Sequence, residues 1–136
     1  MKRDKENGGQ GLVEFALLLP VFLLLLFGMV EFGRAYMTKN ILTGAAREGV
    51  RRAVVQVDFT TAKSAGEARA YEVLNSAGLY TPAVVAIVAN DNTDPKLLVC
   101  TVTYNFPIIV GGFFGFTGPG NVISLKSETS MRRELY

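Results

Sequence analysis

The chain has no histidine among its 136 residues. That excludes serine–histidine triads and the usual zinc-hydrolase ligand sets, both of which need imidazole. Cys100 is the sole cysteine, so neither an intrachain disulfide nor a thiolate metal cluster can be built. The net charge of +2 supplies neither the basic footprint of a nucleic-acid binder nor a polyanionic tail. No clustered acid–base set remains. No enzymatic activity, cofactor, metal or nucleic-acid partner is therefore expected. The most informative absence is local: between Glu14 and Glu31 no residue is charged.

Most residues of that run are Leu, Val or Phe. It is about sixteen residues long, or about twenty with Leu12, Val13 and Phe32, close to what a hydrocarbon core requires. A single carboxylate, Glu14, sits just inside its N-terminal end, behind a short charged leader, Met1 to Gly8. A charge in lipid is costly and calls for a partner. Two readings of Glu14 are open on these grounds. One is a carboxylate at headgroup level, favoured by the helix N-terminus; the other is a carboxylate paired with a cation.

The order of charged leader, glycine, lone glutamate and apolar helix, in Gly9-Gln10-Gly11-Leu12-Val13-Glu14-Phe15-Ala16, resembles the processing site of type IV prepilins. It is most similar to the TadE-like minor pilins (pseudopilins) of the tight-adherence pilus. The resemblance implies that a prepilin peptidase cuts after Gly9, leaving Gln10 first and Glu14 fifth in the mature chain. Cutting after Gly8 or Gly11 would put the glutamate at the wrong position. Phe15 departs from the tyrosine common there in the family's major pilins. Cleavage would create an α-ammonium one helical turn from Glu14, of its own chain or a neighbour's, and each charge would offset the other. The Ala45-Ala46-Arg47-Glu48-Gly49 block and the closing Met131-Arg132-Arg133-Glu134 are similar to the family as well. The head makes this chain longer than the family's major pilins, which implies a minor, initiating or tip-proximal role.

Charge does not settle topology. Lys2, Arg3 and Lys5 precede the span and Arg34, Lys39 and Arg47 follow it. The resemblance implies a single pass through the cytoplasmic (inner) membrane, leader in the cytoplasm and head outside. The implied partners are the prepilin peptidase, other minor and major pilins, the inner-membrane assembly platform and membrane lipid. A competing reading is a secretory signal cut after Gly33-Arg34-Ala35, giving a secreted or membrane-anchored binding module. The length of the apolar run and the charges of Glu14, Glu31 and Arg34 count against it.

Periodicity predicts one continuous helix from about Leu12 to Val57, about 70 Å long. Its amphipathic distal half is a stem. Pro20 inside the span reads either as a plain kink or as a point of local melting during extraction from lipid. Ala45, Gly49 and Ala53 recur every fourth residue, a small-residue row for close helix–helix packing. The partner is either the chain's own head, which is favoured, or another pilin helix. A second helix is predicted over Thr61 to Ala77, with an Ala62, Gly66, Ala70, Val73, Leu74, Ala77 stripe inward and Lys63, Glu67, Arg69 and Glu72 facing water. Gly78 is placed to end it.

Beyond Pro82 the period becomes two. Ala83 to Ala89 is apolar on both sides, as in a strand buried on both faces. Leu97 to Phe106 alternates, with Leu98, Cys100, Val102, Tyr104 and Phe106 inward. Val122 to Met131 places Ile123, Leu125 and Met131 inward and Lys126 and Glu128 outward. The expected fold class is α+β: a long N-terminal transmembrane and stem helix, a short helix, and a small antiparallel β-sheet as a pilin-like head. The domain division is leader 1–9, helix 10–57 and head 58–136. The Asn90 to Pro95 link lacks the glycine and distal glutamate of a calcium loop and reads as a plain hairpin connection. Cys100 reads as a buried small hydrophobe. In the loop from Pro107 to Gly120, Phe113, Phe114 and Phe116 form either a partner-contact or membrane-dipping surface or a lid folded onto the core.

Overall fold

The computed structural model describes residues 6–79, 83–90, 94–109 and 122–133. The order is two helices followed by three strands: α1 Glu6–Val54, α2 Phe59–Ser76, β1 Ala83–Asn90, β2 Asp94–Pro107 and β3 Val122–Arg132. The expected α+β architecture is what is seen.

α1 is 49 residues long and runs unbroken through Pro20. Its N-terminal half is kept helical by its leucines, which lose little rotamer freedom in a helix. Its last turn carries Arg51 and Arg52, favourably placed at the negative end of the helix dipole. After a tight turn, the Asp58 carbonyl accepts the first α2 bond, from the Ala62 N–H at 2.8 Å. The far end of α2 stops at Gly78, whose φ of +72° suits a residue with no Cβ. There the Leu79 N–H reaches the Leu74 carbonyl at 2.8 Å and the Gly78 N–H reaches Asn75 at 3.0 Å. This is a Schellman cap, the role anticipated for Gly78.

The three strands form an antiparallel meander in the order β1-β2-β3. α1 lies against β2 and β3, and α2 against β1 and α1. All the helices are on one face. The core is the alanine-rich row of α1 (Ala45, Ala46, Ala53, with Leu42 and Val50), the matching row of α2 (Ala62, Ala70, Leu74), and Ile87, Leu98, Cys100 and Val102 beneath. The five inward residues anticipated for β2 are all buried.

Two strand assignments are corrected. β1 is buried on one face only: Val85 and Ile87 are covered, whereas Val84 and Val88 are 61% and 57% exposed. The helices that would have made a second layer both went to the same side, so an apolar run long enough for a two-sided strand became a one-sided edge strand. In β3 the inward parity holds through Leu125, Ser127 and Met131, but Ile123 is exposed although its partner Phe106 on the central strand is covered by Arg34.

β3 runs alongside α1 in the same direction. Phe106, which pairs with Ile123, lies under Arg34, and at the other end Arg133 reaches Gln56. From Arg34 to the end of α1 at Val54 the helix rises about 30 Å, and from Ile123 to the end of β3 at Arg132 the strand covers about 30 Å too. That equality of length lets one straight strand buttress the whole stem.

Candidate functional site

The N-terminal half of α1 stands apart from the head. From Gly9 to Val30 nearly every residue is exposed, including Leu12, Phe15, Leu18, Phe22 and Leu25. A helix that is apolar all round and unburied by its own protein needs an apolar solvent. The helix Gly9–Val54 contains a window of mean hydropathy 2.5, none of it buried within the protein, long enough to cross a membrane. It fits a single-pass anchor.

At its start the residues expected to be scissile, Gly9 and Gln10, are exposed on helical backbone, and a Cβ at Gly9 would meet nothing within 4 Å. Glycine in a helix interior costs about 1 kcal/mol relative to alanine. Gly9 and Gly11 therefore make this end the easiest part of α1 to open. Glu14 is exposed on the same helix and has no hydrogen-bond or ion-pair partner among the described residues.

At the other end of the apolar stretch a small polar junction ties helix to head. Glu31 Oε1 accepts from Arg34 Nη1 at 3.0 Å and from the Ile109 backbone N–H at 3.4 Å. The Arg34 guanidinium lies 5.0 Å from the centre of the Phe106 ring, within cation–π range. Further up, Lys39 Nζ donates to the Lys126 carbonyl on the free edge of β3. Thr43 Oγ1 donates to the Lys39 carbonyl at 2.9 Å and sits 2.9 Å from Ser127 Oγ. The buried Ser127 was not singled out from sequence; a serine on the inward parity of an otherwise apolar strand was the available signal.

Gly49 and Ala53 lie in the interface between α1 and α2, and Ala45, one turn before them, is fully buried in the core. A Cβ on Gly49 would stand 3.0 Å from Ala70 Cβ and 3.1 Å from both Cys100 Sγ and the Gly66 carbonyl. This row is therefore occupied by the chain's own head. Cys100 is fully buried, and burial first, then the Glu67 charge, pushes its thiol up to about 11. Glu67, expected to face water, instead accepts the Ile87 N–H at 3.2 Å, while the Tyr71 hydroxyl accepts the Val85 N–H at 3.2 Å. These amides point off the free edge of β1, and the α2 side chains cover them. Glu48, Arg51, Arg52, Val55 and Arg69 line a shallow surface groove, with Arg69 bridging Glu48 at 3.7 Å and Glu72 at 2.8 Å. Phe113, Phe114 and Phe116 lie outside the described residues.

A family model described as TadE-like protein matches residues 9–51. This segment is TadE-like. The match opens on Gly9, runs through Glu14 and the apolar helix, and ends within the stem at Arg51. The head lies beyond it. TadE-like proteins are pilus-associated and are not an enzyme family, and the exposed apolar half of α1 is the membrane-compatible part of the TadE-like segment. No curated protein and no solved structure gives a significant match to the chain.

Proposed function

We infer that the chain is a minor pilin (pseudopilin) of a tight-adherence pilus or a closely related secretion apparatus, acting in pilus assembly. The observation that carries this reading is the coincidence of the TadE-like match with an unburied apolar helix headed by Gly9, Gln10 and Glu14. A prepilin peptidase removes Met1 to Gly9 on the cytoplasmic side. Opening of the glycine-weakened first turns exposes the Gly9–Gln10 bond to it. The new ammonium of Gln10 then lies one turn from Glu14, in its own chain or the next, and supplies the partner the carboxylate otherwise lacks in lipid. The head stays outside the inner membrane, and the exposed apolar half of α1 exchanges lipid for other pilin helices during assembly. The assembly platform and the other minor and major pilins are its partners in that step. Ala45, Gly49 and Ala53 serve the head, so contacts between subunits fall on the helix below the head.

Intact-mass measurement of the protein from cells with and without the prepilin peptidase tests this reading. The expected result is a chain beginning at Gln10 only where the peptidase is present. A chain that still begins at Met1 in piliated cells refutes it.

A further inference from the structure

Where the apolar helix ends, the head extends toward it. β2 and β3 pair through Asn105–Ser124, Phe106–Ile123 and Pro107–Val122 toward this level of α1. Pro107 and Val122 are the last pair of this β2–β3 ribbon end. Its outer residues are apolar and bare: Ile109 is 63% exposed, Val122 53% and Ile123 51%. The ribbon's level on α1 is defined by contacts. Arg34 stacks on Phe106, and Glu31, the first charged residue after the apolar stretch, accepts the Ile109 N–H. Phe32 and Tyr36, both exposed, flank the same level on α1.

We propose that this ribbon end is a second lipid-contacting element, seating Ile109, Val122 and Ile123 in the headgroup–acyl boundary of the bilayer that α1 spans. The inference rests on the anchor reading of α1, because the covalent span is what brings lipid to this surface. Glu31 lies about one residue, or 1.5 Å of rise, beyond Val30, the last residue of the uncharged run. An apolar group hydrogen-bonded to that position is therefore at the membrane surface and not in bulk water. Burying exposed aliphatic side chains there is favourable in proportion to their area. Arg34, half-exposed beside them, stays at headgroup level with its guanidinium over the ring of Phe106. The helix anchor alone leaves the head free to rotate about the helix axis and to tilt. A second contact off that axis removes both freedoms and presents the outer face of the sheet in one orientation.

The chain has no tryptophan, so a single one introduced by substitution is an unambiguous reporter. Ile109→Trp, Val122→Trp, Val88→Trp and Leu24→Trp are placed singly in the full chain and reconstituted into phosphatidylcholine vesicles. Each is measured with and without lipid brominated near the headgroup end of its acyl chains, and with and without added phosphatidylglycerol. Leu24→Trp reports the span, and Val88→Trp the far end of the head. The expected result is blue-shifted emission and loss of intensity in brominated lipid for Ile109→Trp and Val122→Trp, as for Leu24→Trp, with Val88→Trp unchanged. Quenching of Leu24→Trp alone overturns the ribbon contact and leaves the anchor standing. A blue shift at Ile109→Trp and Val122→Trp without quenching shows that protein, not lipid, covers the ribbon, and also overturns it. Failure of Leu24→Trp to be quenched removes the anchor and the ribbon contact together.

Discussion

At the scale of single residues the head is closed by Arg133. It is one residue past β3, buried, and its Nη2 donates to the Gln56 carbonyl at 2.7 Å and to the Val57 carbonyl, while its own N–H donates to Lys96 at 2.7 Å. One side chain thus ties the end of the last strand to the turn between the helices. Its buried Nε has no partner among the described residues, so the cation rests on those two carbonyls. Arg133→Met keeps the volume and removes the donors. It is expected to lower the urea stability of the detergent-solubilised chain by about 2 kcal/mol. Arg133→Lys should recover little of that, since an ammonium does not reproduce the planar fork.

Cys100 makes a prediction that depends on pH. With the thiol raised to about 11, the folded head keeps it neutral where the unfolded chain, near 9, has begun to ionise. The unfolded state then binds fewer protons, so stability falls as pH rises from about 9 to about 11 and is unaffected by this group below that window. Urea midpoints taken across that window should show a slope that Cys100→Ala reduces. An unchanged slope would rule out ionisation of Cys100 as its source.

At the scale of elements the decisive contact is the crossing of α1 and α2 through glycine. A Cβ on Gly66 would lie 2.7 Å from the Gly49 carbonyl, 2.9 Å from Ala53 Cβ and in collision with Ile87 Cδ1. Backbone cannot yield as a side-chain tip can, so Gly66→Ala forces the helices apart and should destabilise by about 1–3 kcal/mol. Gly44 lies on the same stem with nothing within 4 Å of its would-be Cβ. There alanine meets no obstacle, and helix propensity predicts a gain of up to about 1 kcal/mol. Thermal melts of the two variants should therefore move in opposite directions. The edge of β1 is the second element-scale test. Glu67→Ala uncovers the Ile87 N–H, and an edge strand with a bare amide is a template for pairing with another chain. A concentration-dependent increase in light scattering is expected, absent in the parent.

At the scale of the whole molecule two regions with different solvents share one helix. From Leu12 to Val30 the side chains of α1 are, Glu14 apart, apolar and nearly all exposed; above Glu31 they are progressively enclosed by the head until Ala45, Ala46, Val50 and Ala53 are fully covered. Glu14 belongs to the lower region and does nothing for the head, so Glu14→Ala should leave folding and membrane insertion intact and impair incorporation into filaments. Fractionation of membranes and sheared fibres checks both halves of that statement. Normal piliation in the mutant would remove the assembly role given to Glu14.

Local physics was legible in the chain itself. An uncharged apolar run, a three-and-four periodicity continuing past it, a glycine at a helix end and a change to period two after Pro82 each act within a few residues, and α1, α2, Gly78 and the inward face of β2 follow from them. The TadE-like start at Gly9 is equally local. Tertiary structure alone decided which side of the sheet the helices took, and with it the bare outer face at Val84 and Val88. It also put Glu67 on the Ile87 amide, Ser127 beside Thr43 and Arg133 over the end of α1, contacts between residues 20 to 84 positions apart. Sequence pattern reports how a residue prefers to be solvated; it does not say which distant group will be there to solvate it.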